Sequence, residues 1–470
     1  VDTVLLSRIQ FAFTVGYHFL FVPLSLGTSL FIVAAERRHR RTGLPADRAA
    51  SDFWIRLFTT TFVIGVATGI TLEFAFGTNW AAYSRFVGDI FGAPLAAEAL
   101  FSFFLESTFL GVLLFGRGRV SPRFYYVSTW LVAVGAHLSA LWIIIANSWQ
   151  QTPAGYEVVD GKAVLTDVAA AFLNPSTLPR FVHTVLSTWA AGAFFVVGLS
   201  AWYLLKGRHQ EFARRWLRMG LLVGVAATLA IPVVGHWHAL QVAETQPAKM
   251  AAFEGIYDTG GNAGMALVGW VDTDAGEVRG LVVPSLLSVL LGGRPSTEVV
   301  GLNDFAAADR PPVQLTFQTY HLMVSLGVYF AALMLLGLFL WWKRRLDDTR
   351  PYLWALVWSI PLPIIATQVG WAAAEVGRQP WIVYGELRTA DAVSAVVPAA
   401  QVVTSLALFG AVYALLFVAW LRIVLKLVRH GPDEPVAPPG SGGTRVATGV
   451  TDTLGTAVAQ GNSSRDEGGG

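Results

Sequence analysis

The sequence predicts an all-α polytopic membrane protein with nine transmembrane helices. Three observations predict it. Apolar residues make up 54% of the 470 positions and charged residues only 14%, against about 25% charged in a soluble domain. Nine apolar stretches each reach the ~20 residues that cross a hydrocarbon core. Basic residues are rich and poor in alternate loops, as the positive-inside rule requires.

The spans fall near residues 10–35, 55–76, 94–115, 125–148, 181–205, 218–240, 315–342, 352–374 and 399–426. The first, from Phe11 to Ala34, is not preceded by the basic n-region of a cleavable signal peptide, so it is expected to stay as a membrane helix. The loops after spans one, three, five and seven and the end of span nine carry 21 Lys and Arg, starting with Arg37, Arg38, Arg40 and Arg41. The other four loops are longer and carry 9. The N-terminus is therefore expected outside and the C-terminus in the cytoplasm. An eight-span arrangement breaks this alternation.

Two segments do not span. Residues 241–314 form a long external loop with Gly-Gly pairs, acids and Pro, of a length that is usually functional or disordered. Residues 431–470 are rich in Pro, Gly, Ser and Thr and are expected to be a disordered cytoplasmic tail. Residues 1–240 then carry helices one to six and 315–430 helices seven to nine, with no internal repeat.

A net charge of +2 gives no reason to expect nucleic acid as a partner. The absence of cysteine excludes disulfides, cysteine-ligated iron–sulfur clusters, thiolate haem ligands and c-type attachment. Any haem must use His, Met or carboxylate. The 17 Trp suit interfacial belts and redox-site packing equally.

Ionisable residues inside spans are costly and mark function by default. His18 lies in the first span, His183 opens the fifth and Met323 lies early in the seventh. Glu73 ends the second span and Glu375 the eighth. Glu98, Ser102 and Glu106 follow at i, i+4 and i+8 in the third, one polar stripe on an apolar helix. Each has a plainer reading: a His bonding a neighbouring helix, a Met in packing, a Glu snorkelling from a span end. The stripe is harder to dismiss, because two carboxylates at membrane depth must be neutral, paired, hydrated or near a cation. Proton relays and haem sites both meet that need, and spacing does not choose between them.

The motifs do more. SRIQFAFTVGYHFLFVPLSLG (7–27), GVATGITLEFAFGTNW (65–80), VGDIFGAPLAAEALFSFFLEST (87–108), LSALWIIIANSW (138–149), FVHTV (181–185), KMAAFE (249–254) and IPLPIIATQVGWAAAEVGRQPW (360–381) appear in that order. The chain thereby resembles subunit I of the cytochrome bd quinol oxidases, from Leu5 to about His430. The resemblance implies a multi-pass protein of the bacterial inner membrane that oxidises quinol and reduces O2 to water without pumping. His183 and Met323 look like the ligands of low-spin haem b558. His18, Glu98 and Glu375 look like the ligand set of haem b595 and haem d (or a third haem b in its place), with His18 the better match for haem d and Glu375 for haem b595. Trp371 is similar to the family's inter-haem aromatic, and Arg8 and Arg378 look like propionate partners. Glu106, Ser107 and Ser139 resemble the proton-input path, and Lys249 and Glu254 the quinol-loop pair. The implied partners are a subunit II, a small single-span subunit, quinol, O2 and the lipid bilayer.

Three departures stand out. The family pattern carries Arg two residues before the ligating Met, where this chain has His321. Only 68 residues separate Glu254 from Met323, which makes the quinol loop short and leaves ubiquinol against menaquinol open. His236 and His238, in GHWHAL, match no family role and are read as solvated interfacial histidines. Two other classes compete with the resemblance. A proton-coupled transporter subunit leaves GRQPW unexplained, and a b-type cytochrome that never meets oxygen needs paired His on common helices, which no span has.

Overall fold

A computed structural model describes residues 2–433. Its long helices are α1 (Thr3–His18), α2 (Val22–Thr42), α3 (Pro45–Thr78), α4 (Ala81–Ala97), α5 (Phe104–Phe115) and α6 (Pro122–Gln151). After a short α7 (Val168–Phe172) come α8 (Thr177–Leu205), α9 (Gln210–Thr245) and a short α10 (Pro247–Glu254). Then follow α11 (Leu286–Gly292), α12 (Val313–Trp342), α13 (Arg350–Trp358), α14 (Leu362–Val376) and α15 (Ala399–His430). Eight helical stretches are long and apolar enough to cross a membrane, and α13 with α14, bent by 40°, makes the ninth among the described residues.

The breaks have local causes. Pro23 opens α2 and cannot donate to the carbonyl four residues back, so the first span kinks after His18. Pro361 and Pro363 break α13 from α14 in the same way. Pro94 removes a hydrogen bond within α4, and the chain then winds as a π-helix from Glu98 to Phe103 before α5 resumes. Several helices outrun their apolar cores. Helix α3 begins ten residues before the expected span because its first turns, from Pro45, carry Asp47, Arg48 and Asp52 and so fall outside an apolar window.

Helix α8 is the axis of the bundle and is almost continuously buried from Ala190 to Ala201. It touches α2 where Gly27 meets Gly192, and a methyl group on either would run into the other helix's backbone. Buried ion pairs close one end of the bundle. Asp47 accepts from Arg38 at 2.8 Å and Arg215 at 2.7 Å, and Arg117 bridges Glu36 at 2.9 Å and Asp52 at 2.6 Å. Apolar side chains face outward along the flanks, among them Phe74, Phe101, Phe104, Val328 and Leu415.

The opposite end is capped by ordered loops. Hairpin β1–β2 (Tyr156–Val159, Lys162–Leu165) precedes α7, and β5–β6 (Trp381–Val383, Leu387–Arg388) follows α14. The segment read as one long loop is folded. Helix α9 runs on to Thr245, α10 follows at once, and the antiparallel hairpin β3–β4 (Met265–Asp272, Glu277–Val283) leads to α11. Of the expected disordered tail, residues 434–470 lie outside the described residues.

Candidate cofactor and substrate cavity

A cavity of about 1580 Å³ runs through the bundle and reaches the folded loop. Ordinary ligand pockets hold ~300–1,000 Å³. Its wall is mainly apolar and includes His18, Glu98, Glu106, His183, Met323 and Glu375. Arg8, Ser139, Lys249, Glu254, Trp371 and Arg378 also line it. Of the expected site residues, Ser107 alone is outside the lining: it is exposed and donates to the Phe103 carbonyl of its own helix at 2.8 Å.

His18 ends α1, and its Nδ1 lies 2.9 Å from Thr68 Oγ1. That hydroxyl already donates to the Ile64 carbonyl at 2.9 Å, so it accepts from Nδ1–H and leaves the lone pair on Nε2. Gly69 keeps the space beside the ring open, since a Cβ there would stand 3.2 Å from His18 Cε1. His183 stands near the start of α8 with Nδ1 buried and unpartnered among the described residues. Met323 packs against Gly370, where a Cβ would collide with its sulfur.

Glu98 accepts from Ser139 Oγ at 2.7 Å, while its Oε2 is buried with no partner among the described residues. The expected α-helical stripe is altered. The π segment widens the turn through Glu98 to Phe103, so the three residues do not follow one i, i+4, i+8 row. Glu98 and Glu106 reach the cavity and Ser102 is buried away from it. Ser139 serves Glu98 rather than Glu106. Glu106 packs instead against Gly135, the glycine of α6 that lets it lie flat on that helix. Glu73 lies inside α3 rather than at its end, exposed and on the cavity rim.

Glu375 ends α14 inside a buried polar cluster. Arg378 forms an ion pair with it, Asn147 Nδ2 donates at 3.0 Å and Gln151 Nε2 at 3.3 Å. Arg180 donates to Asn147 Oδ1 at 2.9 Å, and Lys249 donates to Gln151 Oε1. Glu375 thus pairs directly with Arg378 and is linked through Asn147 to Arg180 and through Gln151 to Lys249. The Nε atoms of Arg180 and Arg378 are buried and unpartnered among the described residues. Burial and the neighbouring Arg180 hold the Lys249 ammonium well below its usual range. Trp371 stands one turn before Glu375, its ring 6.5 Å from that of Phe11. Arg8 is exposed at the cavity edge, apart from this cluster.

Lys249 and Glu254 do not form one pair. Glu254 turns toward α12, with Oε2 4.0 Å from His321 Nε2, and burial pushes its carboxyl up to about 8. His321, at the position of the family Arg, pins α12 to the loop. Its Nδ1 faces the Phe317 carbonyl and its Nε2 the Ala266 carbonyl of β3, both at 2.9 Å.

The structure corrects the reading of one histidine and adds others. His236 is exposed at the cavity wall, whereas His238 lies deeper in it with its ring 6.2 Å from that of His183 and its Nε2 buried and unpartnered among the described residues. Its spacing from Gly235, Ala239 and Val242 puts it on the inner face of α9, a signal hidden by ending the span at residue 240. Arg180, Asn147 and Gln151 were missed because each looks like ordinary loop or helix-end polarity. His137 was missed as well: it accepts from Trp189 Nε1 at 3.0 Å and joins α6 to α8.

These features define a polytopic bundle built around one large apolar cavity that holds imidazole, thioether and carboxyl groups at its wall. A profile of the cytochrome bd terminal oxidase subunit I family matches residues 6–432. The chain is 36% identical over 448 residues to the cytochrome bd ubiquinol oxidase subunit 1 of Bacillus subtilis (strain 168), covering 92% of this chain and 95% of that protein. It is 35% identical over 501 residues to the cytochrome bd-II ubiquinol oxidase subunit 1 of Escherichia coli (strain K12), covering 92% and 97%. The solved bd oxidase of Geobacillus thermodenitrificans matches with a TM-score of 0.85 at 30% identity, over 92% of this chain and 99% of that one. The chain belongs to the cytochrome bd terminal oxidase subunit I family. It is a multi-pass protein of the bacterial plasma membrane.

Proposed function

We propose that this chain is the haem-bearing catalytic subunit of a terminal quinol oxidase. It oxidises quinol at the face of the folded loop and reduces O2 to water with protons drawn from the opposite face, building proton motive force without pumping. The observation that carries this is the single cavity, which joins His18 and Glu98, His183 and Met323, and Glu254 of the loop.

The residues present fit haem. His18 has its Nε2 lone pair available, His183 and Glu98 carry buried unpartnered atoms, and Gly69 and Gly370 leave room beside His18 and Met323. His183 and Met323 would hold haem b558. His18, Glu98 and Glu375 would hold haem b595 and haem d, or a third haem b. Haem, when bound, supplies electron transfer and the binding and reduction of oxygen. Arg8 and Arg378 would serve as propionate partners, and two guanidiniums, Arg180 and Arg378, near the one Glu375 carboxylate favour an anionic edge there.

The protein's own groups handle protons. Glu254, held neutral up to about pH 8, accepts a quinol proton once ionised. Glu106 and Glu98 with Ser139 offer carriers on the inner side, and Ser107, turned outward, contributes least. The wealth of Lys and Arg in the loops at the ion-paired end supports reading that end as cytoplasmic and the folded loop as external. Apolar flanks on α12 and α15 suit lipid, subunit II and a small single-span subunit.

The test is quinol-dependent oxygen uptake with a visible spectrum of the purified complex. Uptake with Soret, low-spin and long-wavelength bands supports the assignment. A colourless protein that leaves oxygen untouched contradicts it.

A further inference from the structure

The loop end of the cavity has a wall that the quinol-loop pair does not explain. Phe253, the residue before Glu254, stacks on Tyr320 of α12 with ring centroids 4.4 Å apart and planes within 8°. Both rings line the cavity. Tyr320 has no hydrogen bond among the described residues, and neither does the Glu254 carboxyl, whose Oε2 is buried. Two polar groups without a hydrogen bond, one of them facing His321 at 4.0 Å, therefore border a mainly apolar stretch of wall. Leu287, Leu290 and Leu291 of α11 and Met265 of β3 complete the lining. Tyr320 and Met323 are three residues apart on α12, which puts them on one helical face. Lys249 is excluded from this wall by its bond to Gln151 on the Glu375 side.

We propose that the Phe253–Tyr320 stack is the platform for the hydroquinone ring, with the Tyr320 hydroxyl bonding one ring oxygen beside Glu254. This rests on the reading of the chain as a quinol oxidase subunit and locates its substrate. A flat aromatic stack favours a flat aromatic ligand. A hydroxyl and a carboxyl that make no hydrogen bond within the protein suit a ligand that brings its own oxygen and proton. The face shared with Met323 sets the ring one helical turn from the low-spin ligand.

The test uses the assembled oxidase in membranes, with Tyr320→Phe and Phe253→Leu as variants. The readouts are KM and kcat for short-chain hydroquinones, the Kd of a planar hydroxyquinoline N-oxide, and the haem spectrum. Tyr320→Phe is expected to raise KM about tenfold, the loss of one hydrogen bond, with the spectrum unchanged. Phe253→Leu is expected to weaken the N-oxide by about the same factor. Unchanged KM and Kd in both variants, with active wild type alongside, overturn the platform and leave the oxidase reading standing. A wild type that neither consumes quinol nor binds the N-oxide overturns both.

Discussion

Lys249 and Glu254 share one turn-and-a-half of helix yet look in different directions. The Lys249 ammonium bonds Gln151, which in turn bonds Glu375 at 3.3 Å, whereas Glu254 lies 4.0 Å from His321 on α12. Their consequences should separate. Glu254→Gln is expected to lower quinol-driven kcat by a factor of ~100 or more, the usual range for a lost acid–base group, with unchanged spectra. Lys249→Met is expected to alter the bands assigned to the Glu375 side. Steady-state kinetics and spectra of the two variants together check this.

The pH dependence follows from the same carboxyl. Burial raises Glu254 from 4.5 to about 8, so the folded protein holds that proton while the unfolded chain releases it. Stability from this group is therefore full below about 4.5 and lost as pH rises to about 8. Quinol oxidation that needs the ionised form should rise over the upper part of that window. Thermal unfolding and kcat against pH, for wild type and Glu254→Gln, give the measurement, and the variant should flatten both trends.

His238 should report on its neighbour. With its ring 6.2 Å from that of His183, His238→Ala is expected to shift the low-spin band and its midpoint potential while the long-wavelength band stays in place. Redox titration followed in the visible range decides it.

Gly27 and Gly192 set the approach of α2 to α8. Gly192→Val places two methyl groups where the α2 backbone lies, and overpacking costs about 1–3 kcal/mol or more. The variant should assemble poorly or melt earlier, as thermal unfolding of the purified complex shows.

Much of this was legible from the chain. Apolar length and basic-loop alternation predict nine crossings, and among the described residues the structure has eight helices long and apolar enough to cross and a ninth candidate in the pair α13–α14, broken at Pro361. Of the residues singled out by the motifs, all but Ser107 line the cavity. What escaped depends on contacts between distant segments or on winding. The π turn at Glu98, four residues after Pro94, has no hydropathy signature. The Arg180–Asn147–Glu375 chain joins three helices, and no periodicity within one helix announces it. The separation of Lys249 from Glu254 comes from five-residue spacing on a helix, which turns two side chains to different sides.

The most direct measurement is the visible spectrum of the purified complex in air and after adding quinol, for wild type, Met323→Leu and His18→Ala. Wild type should show Soret and low-spin absorption that quinol reduces. Met323→Leu should lose the low-spin signal, and His18→Ala the long-wavelength band and oxygen uptake with the low-spin signal intact. No Soret absorption in wild type expressed with ample haem, or a long-wavelength band that survives His18→Ala, would contradict the ligand assignment.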